Sequence, residues 1–174
     1  MKTPFALGLL LALVACQPEP QNGPAQASAP AGSEAAPTGE TSAISGLPLV
    51  PLEIRSGGKV HRFTVEVART DEEQAYGLMN RTRLGPDEGM VFPFRTPRPA
   101  SFWMKNTLIP LDMIFVRADG SVARVAAMTT PHSLDPVGVS EPVTAVLEIA
   151  GGRAAELGIG TDARVSWPGG PVPR

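Results

Sequence analysis

The sequence has few of the residues that build disulfide frameworks, metal centres and nucleic-acid-binding surfaces. Its 174 residues include one cysteine, Cys16, and two histidines, His61 and His132. One cysteine excludes a disulfide within the chain and a cysteine-based zinc site, and two histidines do not favour a histidine-rich metal centre. The formal net charge is −2, whereas nucleic-acid-binding proteins show a large basic excess. We therefore predict no metal, no cofactor and no nucleic-acid partner.

Long apolar runs are also absent. The apolar stretch over residues 5–15 spans about 16 Å as a helix, while the hydrocarbon core of a bilayer is about 30 Å thick. This stretch follows Lys2 and ends in small residues, which is typical of an export signal peptide over residues 1–15. A permanent transmembrane helix is the less favoured interpretation.

The only cysteine comes directly after this signal. Leu13-Val14-Ala15-Cys16 resembles a bacterial lipobox, which implies cleavage before Cys16, lipid on its thiol and acylation of the new amino terminus, as with palmitate. Several acyl chains anchor a protein firmly, so we expect a membrane-anchored protein of the bacterial cell envelope. Gln17 replaces the aspartate that commonly retains such lipoproteins at the inner membrane, which favours the periplasmic side of the outer membrane in a cell with two membranes. The alternative is an ordinary secretory signal with an incidental cysteine.

Proline and glycine, in contrast, are abundant and unevenly distributed. Of the residues 17–46, two thirds are Pro, Gly, Ala or Ser, and Ile44 is their only large aliphatic residue. Such a segment cannot bury enough apolar surface to offset the entropy of ordering. We therefore predict a disordered linker that follows the lipidated cysteine over residues 16–46, a single folded domain over residues 47–167 and a loose tail over residues 168–174.

Alternation and turn signals predict that the domain consists mainly of short strands. Residues 62–68 alternate between apolar and polar side chains, as in a half-buried strand. Asp119-Gly120 is a strong hairpin turn. The other predicted strands are residues 89–92, 101–104, 111–116, 121–128, 143–150 and 163–167. Prolines 93, 97 and 99 predict a loop after the strand at 89–92, because proline cannot donate to a central ladder.

Two short helices complete the predicted domain. Thr70 and Glu73 have the spacing of a capping box, which begins a helix at Thr70. A second helix is predicted from Gly151 to Leu157, and Gly158 is a suitable residue to end it. The expected fold is α+β and mostly β: a compact barrel-like or sandwich domain of seven to eight short, mainly antiparallel strands with two short helices.

Aromatic and cationic residues concentrate between residues 81 and 115, which contain five of the eight aromatic residues that follow the signal. A cationic, aromatic-lined surface suits an anionic or sugar-like ligand, through charge pairing and ring stacking. The alternative is that the aromatic residues form the core and the cations a solvated rim. The candidate ligand-binding residues are Arg81, Trp103, Lys105, Asn106, Asp112, His132 and Glu148.

Asp112 is unusual because it interrupts an apolar strand. A carboxylate in that position must be paired or hydrogen-bonded, since an isolated buried charge is costly. Either it belongs to a polar cluster at the mouth of a barrel, with Lys105 or Arg81 as partner, or it accepts hydrogen bonds from loop amides such as those around Asn106 and Thr107. The second role is the more common one for an isolated buried acid.

No motif in the sequence identifies a catalytic site. There is no nucleophile elbow, HExxH motif or phosphate-binding loop. His132 lies in a loop with hydroxyl neighbours and could act as an acid-base group or simply fix the loop. The alternation of residues 146–149 directs Glu148 outward or into a pocket. Glu148 and Asp112 could pair for hydrolysis, which requires two carboxylates at a set separation.

The most distinctive segments resemble a known family. The chain from residue 50 to residue 167 resembles the bacterial and archaeal domain of unknown function family 192. The resemblance rests on Gly77-Leu78-Met79-x-Arg81, Gly89-Met90-Val91-Phe92, Phe102-Trp103-Met104-Lys105-Asn106-Thr107-x-x-Pro110-Leu111-Asp112-Met113-Ile114-Phe115, Val146-Leu147-Glu148-Ile149 and Gly152. It implies a compact, largely β, barrel-like fold, often behind an export signal, and it implies no reaction or ligand. Gly160-Thr161-Asp162 departs from the family's Gly-Asp pair by one inserted residue.

Three functions are compatible with these observations. The leading one is an uncharacterised lipid-anchored envelope protein with a ligand-binding or accessory domain. A small cofactor-free hydrolase or lyase that uses Asp112, Glu148 and His132 is the second. The third is a structural module that docks another envelope protein through an exposed apolar patch. Convergence of Arg81, Lys105, Asp112 and His132 in one pocket would favour binding or catalysis, and their dispersal would favour docking.

Overall fold

Seven strands and two short helices follow one another along the chain in a computed structural model that describes residues 39–171. The elements are β1 (Leu49–Ser56), β2 (Lys59–Val67), α1 (Asp71–Tyr76), β3 (Glu88–Phe102), β4 (Leu111–Val116), β5 (Val122–Ala126), β6 (Val137–Ala150), α2 (Arg153–Leu157) and β7 (Arg164–Ser166). The predicted signal peptide, Cys16 and the linker up to residue 38 lie outside the described residues. Neither helix within residues 39–171 has the length and apolar character that crossing a membrane requires.

The strands form one curled sheet in the order β5-β4-β6-β3-β2-β1-β7. Only β2 and β3 are parallel, since α1 lies in the connection between them, and the other neighbours are antiparallel. At one end the two edges meet through a bridge between Ser121 and Arg164. The Val122 amide donates to the Ala163 carbonyl at 3.3 Å and the Val165 amide to the Gly120 carbonyl at 2.8 Å. The predicted fold class is confirmed as a mostly β half-barrel with two short helices.

Apolar side chains pack on both faces of the sheet. The inner face encloses a core to which all seven strands contribute, including Leu52, Phe63, Ile114, Leu147 and Val165. A second cluster covers the outer face of β3, β4 and β6; its buried members include Leu78, Met90, Phe92, Met104, Met113 and Phe115. The segments that wrap this outer cluster are the connection from β2 to β3 and the loop from β3 to β4. These segments also line a cavity on the outer face of the sheet.

Helix α1 begins as the sequence predicts. The Thr70 hydroxyl accepts a hydrogen bond from the Glu73 amide at 3.2 Å, and the Glu73 carboxylate accepts one from the Thr70 amide at 2.9 Å. Both halves of the capping box are therefore present. Gly77 ends the helix at φ 51°, and a Cβ atom there would lie 3.3 Å from the Phe92 ring. The glycine lets the chain turn tightly against the outer cluster.

Strand β3 is longer than predicted. The expectation of a loop at Pro93, Pro97 and Pro99 is wrong, because β3 continues through them to Phe102. The pairing of β3 with β6 shifts register between Pro93 and Arg98 and again before Ala100, which is how a strand accommodates residues that cannot donate to the ladder. The predicted strand at 101–104 is the end of β3, β6 begins earlier than residue 143, and β1 is absent from the sequence predictions.

The chain just before β1 packs against the sheet. The Leu49 amide donates to the Glu40 carbonyl at 2.9 Å, and the Ser42 amide donates to the Leu47 carbonyl at 2.8 Å. The Ser45 hydroxyl donates to the Glu66 carboxylate, which is buried on β2. The sequence begins the domain at Leu47, and the structure adds hydrogen bonds from residues 40–46. The polar, glycine-containing composition of residues 40–46 gave no sign that they are ordered. Their order comes from backbone hydrogen bonds, which do not depend on apolar side chains.

These contacts divide the predicted linker into two parts with different effects on stability. We expect proteins that begin at residue 17 and at residue 40 to melt within a couple of degrees of each other, since surface changes cost below about 0.5 kcal/mol. A protein that begins at residue 47 should melt several degrees lower, because it loses the hydrogen bonds of residues 40–46, each worth about 1 kcal/mol. Circular dichroism melts measure the difference. A large loss on starting at residue 40 would show that the linker itself packs on the domain.

Candidate functional site

A cavity of about 470 Å³ lies on the outer face of the sheet. Its walls come from α1 and the turn after it, from β3, from the loop after β3 and from residues 134 and 136 before β6. Phe92 and Phe102 form part of the wall, with ring centroids 5.2 Å apart in an edge-to-face arrangement. The size of the cavity is that of a small-molecule site, and its walls combine aromatic with polar side chains.

Large apolar side chains surround the mouth of this cavity. Tyr76, Trp103 and Leu134 line it and are 57%, 52% and 65% exposed. Contiguous exposed apolar patches commonly mark interaction or ligand-binding sites, whereas single exposed apolar side chains do not. The aromatic residues differ in their environment. Phe115 is buried in the core, Phe92 is buried but also lines the cavity, and Trp103 is exposed at its mouth.

Two cations stand beside these rings. The Lys105 ammonium lies 5.2 Å from the centroid of the Trp103 ring, and the Arg98 guanidinium lies 4.0 Å from the centroid of the Phe94 ring. Such cation–π contacts restrain long side chains that would otherwise be mobile. Both cations line the cavity together with one acidic side chain of α1, Asp71. The mouth of the cavity therefore combines positive charge with exposed aromatic faces.

Glu148 forms part of the buried end of the cavity. It stands directly opposite Met90 of β3 and Met113 of β4, between two apolar neighbours on the outer face. The side chain lines the cavity and is 4% exposed. Within residues 39–171 no hydrogen bond to its carboxyl group offsets this burial. Burial raises the pKa of Glu148 to about 8, so the group is mainly a neutral carboxylic acid at pH 7.

Asp112 has a different environment. It pairs with Ile149, so its side chain lies on the inner face of the sheet, and it is fully buried. One carboxylate oxygen accepts from the amides of Met128 at 2.8 Å and Gly152 at 2.9 Å, and the other accepts from the Ala154 amide at 2.7 Å. Asp112 thus ties the first turn of α2 and the loop after β5 to the sheet. The amides differ from the predicted ones near Asn106, and neither Lys105 nor Arg81 is its partner.

Arg81 is buried away from the cavity. Its guanidinium pairs with the Glu66 carboxylate at 2.7 Å, and both side chains are less than a tenth exposed. Glu66 also accepts the hydroxyl of Ser45. The pair therefore holds the turn after α1 and the segment before β1 against β2. This is a structural arrangement, because both charges already have a partner.

Asn106 and His132 occupy tight turns. Their φ angles are 56° and 61°, in the left-handed region. The Asn106 carbonyl accepts from the Asn80 amide at 2.8 Å, and the His132 amide donates to the Thr107 carbonyl at 3.1 Å. Both side chains are exposed and neither lines the cavity. Their backbones shape the loops beside the site.

Comparison with known proteins places this arrangement in a family. The model of the family DUF192, described as "Uncharacterized ACR", matches residues 52–167. The chain belongs to the DUF192 family. The resemblance noted in the sequence is therefore correct, and the family's description supplies no reaction or ligand.

Two solved structures are similar to this DUF192 chain. A protein of unknown function from Novosphingobium aromaticivorans DSM 12444 is 47% identical, with a TM-score of 0.73, over 77% of this chain and 94% of that one. A protein from Sinorhizobium meliloti 1021, provisionally named a transcription regulator, is 35% identical, with a TM-score of 0.68, over 70% of this chain and 95% of that one. Among curated proteins, none matches the chain.

The DUF192 fold brings three of the seven candidate residues together. Trp103, Lys105 and Glu148 line the cavity, whereas Arg81, Asn106, Asp112 and His132 do not. The convergence of Arg81, Lys105, Asp112 and His132 that would have favoured binding or catalysis is absent, since only Lys105 lines the cavity. By that criterion their dispersal favours docking. Sequence reasoning missed Tyr76, Arg98 and Phe102 as site residues. Arg98 and Phe102 follow the register shift in β3, which breaks the alternation that would have predicted their direction.

The geometry also separates the two carboxylates of the hydrolase hypothesis. Asp112 is opposite Ile149 and Glu148 is opposite Met113, so the two acids project from opposite faces of the sheet. Two carboxylates that share one scissile bond must flank it from the same space. The arrangement therefore does not support hydrolysis by Asp112, Glu148 and His132.

Proposed function

We propose that this DUF192 protein is a ligand-binding protein of the bacterial cell envelope, tethered to a membrane by lipid on Cys16. The cavity on the outer face of the sheet takes a small anionic or sugar-like molecule. The observation that carries this proposal is the exposed aromatic and cationic mouth formed by Trp103 and Lys105, with their centroid-to-ammonium distance of 5.2 Å.

The charges of the cavity favour an anion. While Glu148 is neutral, the charged lining side chains are two cations, Arg98 and Lys105, and one acid, Asp71. The mouth is therefore net positive, and an anion gains from the field without displacing an existing partner. The exposed faces of Tyr76 and Trp103 suit a planar or sugar ring, which stacks on an aromatic side chain. Together these features select a ring that carries an anionic group.

Thermal shift on the full chain tests the binding. We expect benzoate-type aromatic carboxylates or sugar acids such as glucuronate to raise the melting temperature, while uncharged glucose has less effect. A ligand at about 100 times its dissociation constant adds about 2.7 kcal/mol to the free energy of unfolding. Trp103→Ala and Lys105→Ala should each reduce the shift, and Lys59→Ala, which removes an exposed cation outside the cavity, should keep it. Equal loss in all three variants would contradict a site at this mouth.

The membrane anchor has its own test. Cys16→Ser removes the only thiol of the chain, so it removes the site of lipid attachment. We expect the variant to be released from membranes or to remain unprocessed, while the parent stays in the membrane fraction after washing without detergent. Recovery of the variant in the membrane fraction would contradict the lipoprotein assignment.

Docking of another envelope protein is the second candidate. Its support is the exposure of Tyr76, Trp103 and Leu134, which are each more than half exposed. A photo-crosslinking residue at position 103 distinguishes the two candidates in cells. A discrete protein adduct favours docking, and its absence together with a ligand-induced thermal shift favours a small molecule.

A further inference from the structure

We propose that the ligand binds with a neutral oxygen atom, of a carbonyl or hydroxyl group, at the inner end of the cavity, where the carboxylic acid of Glu148 donates a hydrogen bond to it. Its anionic group lies at the mouth, beside Lys105 and Arg98. This inference rests on the proposed function and assigns the orientation and chemical class of the ligand. It makes Glu148 a ligand-binding residue in a role that needs its proton.

The first support is the missing partner of a buried acid. Glu148 is more than nine-tenths buried and lines the cavity, and within residues 39–171 no hydrogen bond to its carboxyl group offsets this burial. Its cross-strand neighbours Met90 and Met113 offer thioether sulfurs, which are weak acceptors and cannot donate. Buried polar groups are nearly always satisfied in a functional state. Because Glu148 lines the cavity, the partner for its proton is either water or a bound molecule that takes the place of that water.

The second support is the distribution of charge around Glu148. The charged groups that line the cavity are Asp71 on α1, Arg98 on β3 and Lys105 in the loop after β3, and Tyr76 adds a phenol. On the same face, Glu66 of β2 is opposite Met90, one strand beyond, and is neutralised by Arg81. No cation among the described residues pairs with Glu148. The site therefore stabilises the neutral acid, which donates a proton, rather than the carboxylate.

A cationic ligand fits this distribution poorly. An amine would pass Lys105 and Arg98 at the mouth and would have to ionise Glu148 between two methionines before it could pair with it. A molecule with an anion at one end and a neutral oxygen at the other meets a complementary group at each end. The ring between them contacts the aromatic walls. The ligand class is thus a carboxylate, or a similar anion, that carries a ring and has a carbonyl or hydroxyl group at the end of the molecule opposite the anion.

This orientation makes binding dependent on pH. The ligand binds the protonated form of Glu148, so affinity is full below the pKa of about 8 and falls as the pH rises through it. Apparent affinity scales with the fraction of competent protein, which gives a loss of about tenfold between pH 7 and pH 9.

Calorimetric titration of the full chain with three matched probes tests the orientation. The first is para-acetylbenzoate, which carries a carboxylate and, opposite to it, a neutral carbonyl. The second is para-(aminomethyl)benzoate, in which an ammonium replaces the carbonyl. The third is para-acetylbenzylamine, in which an ammonium replaces the carboxylate. We expect para-acetylbenzoate to bind at least tenfold more tightly than either of the others at pH 7. Tighter binding of either amine would overturn the inference.

Variants of Glu148 provide the second readout. In Glu148→Gln the side-chain amide still donates but does not titrate, so the tenfold ratio of affinities between pH 7 and pH 9 should disappear. Glu148→Leu should bind at least tenfold more weakly than the wild type at both pH 7 and pH 9. Glu72→Gln, which neutralises an exposed acid of α1 outside the cavity lining, should keep the wild-type ratio. Persistence of the wild-type ratio in Glu148→Gln would overturn the inference, and the melting temperature of each variant shows that it is folded.

The outcomes separate this inference from the proposed function. Binding of para-acetylbenzoate that depends on Trp103 and Lys105 but is indifferent to Glu148 leaves the proposed function in place and overturns the orientation. Failure of all three probes to bind the wild-type chain at millimolar concentration overturns the aromatic-anion class and the orientation together. Loss of binding in Glu148→Leu with the expected pH dependence in the wild type supports both.

Discussion

Replacing Glu148 with glutamine is expected to raise the free energy of unfolding by about 3 kcal/mol at pH 7. The folded-state pKa of about 8 lies above the ordinary value of 4.5, so between these values the folded protein holds a proton that the unfolded chain releases. Stability therefore falls as the pH rises through this window, by about 1.4 kcal/mol per pH unit. Glutamine has a similar shape but does not titrate, so the variant does not lose stability as the pH rises.

Urea midpoints at several pH values measure this effect. The wild-type curve should fall between about pH 5 and about pH 8, the curve of Glu148→Gln should be much flatter, and Glu72→Gln should parallel the wild type. The carboxyl groups of Glu73, Asp119 and Glu141 have pKa values lowered by hydrogen bonds, so their stabilisation is lost only as the pH falls below this window. Parallel curves for the wild type and Glu148→Gln would contradict the burial of an unpartnered acid. A more stable variant would show that the native chain gives up stability at this position, as functional sites often do.

Replacing Asp112 with alanine is expected to lower the free energy of unfolding by about 3–5 kcal/mol. The amides of Met128, Gly152 and Ala154 all lose their acceptor, and each unsatisfied buried donor costs about 1–3 kcal/mol, part of which water recovers. Asp112→Asn retains one acceptor oxygen but turns an NH2 group toward an amide donor. Its loss should be about half as large.

A second aspartate, Asp135, serves as the control for the loss of the buried hydrogen bonds of Asp112. Asp135→Ala removes an exposed carboxylate that contacts only Ser133 and its own loop, so it should change stability by less than about 0.5 kcal/mol. Urea midpoints of the three variants give the ranking. Unchanged stability of Asp112→Ala and Asp112→Asn, with loss of ligand binding, would instead assign Asp112 to the site. The structure favours the stability effect, because Asp112 projects from the face opposite the cavity.

Features that depend on neighbours in sequence were predictable. The capping box of Thr70 and Glu73 acts within one turn, and β4 occupies the predicted residues 111–116 because its apolar run is short and bounded. The prediction for strand β3 was wrong, since proline rules assume a regular ladder. The shift of register is set by partner residues of β6 that lie 39 to 52 residues further along the chain. Sequence alone gives no access to such pairing.

The candidate site shows the same difference between local features, which the sequence predicts, and long-range contacts, which it does not. Alternation correctly directed Glu148 away from its neighbours Leu147 and Ile149, which pack in the inner core. The partners of Asp112 lie 16, 40 and 42 residues away, and the partner of Arg81 lies 15 residues away, so nothing local identified them. Asp112 stood out in the sequence because it interrupts an apolar strand, and Arg81 because it belongs to a region rich in cations and aromatic residues. Only the fold shows that their charges are already satisfied.

The meeting of the sheet edges at Ser121 and Arg164 limits how a partner protein can attach. An extended peptide commonly joins a sheet by adding a strand to an edge whose amides and carbonyls are free. At this end of the half-barrel the backbone groups of residues 120–122 bond to those of residues 163–165 instead. Strand addition there would have to break the closure of the domain itself. A partner that approaches this end must therefore recognise side chains, and the same closure protects the protein from edge-to-edge aggregation.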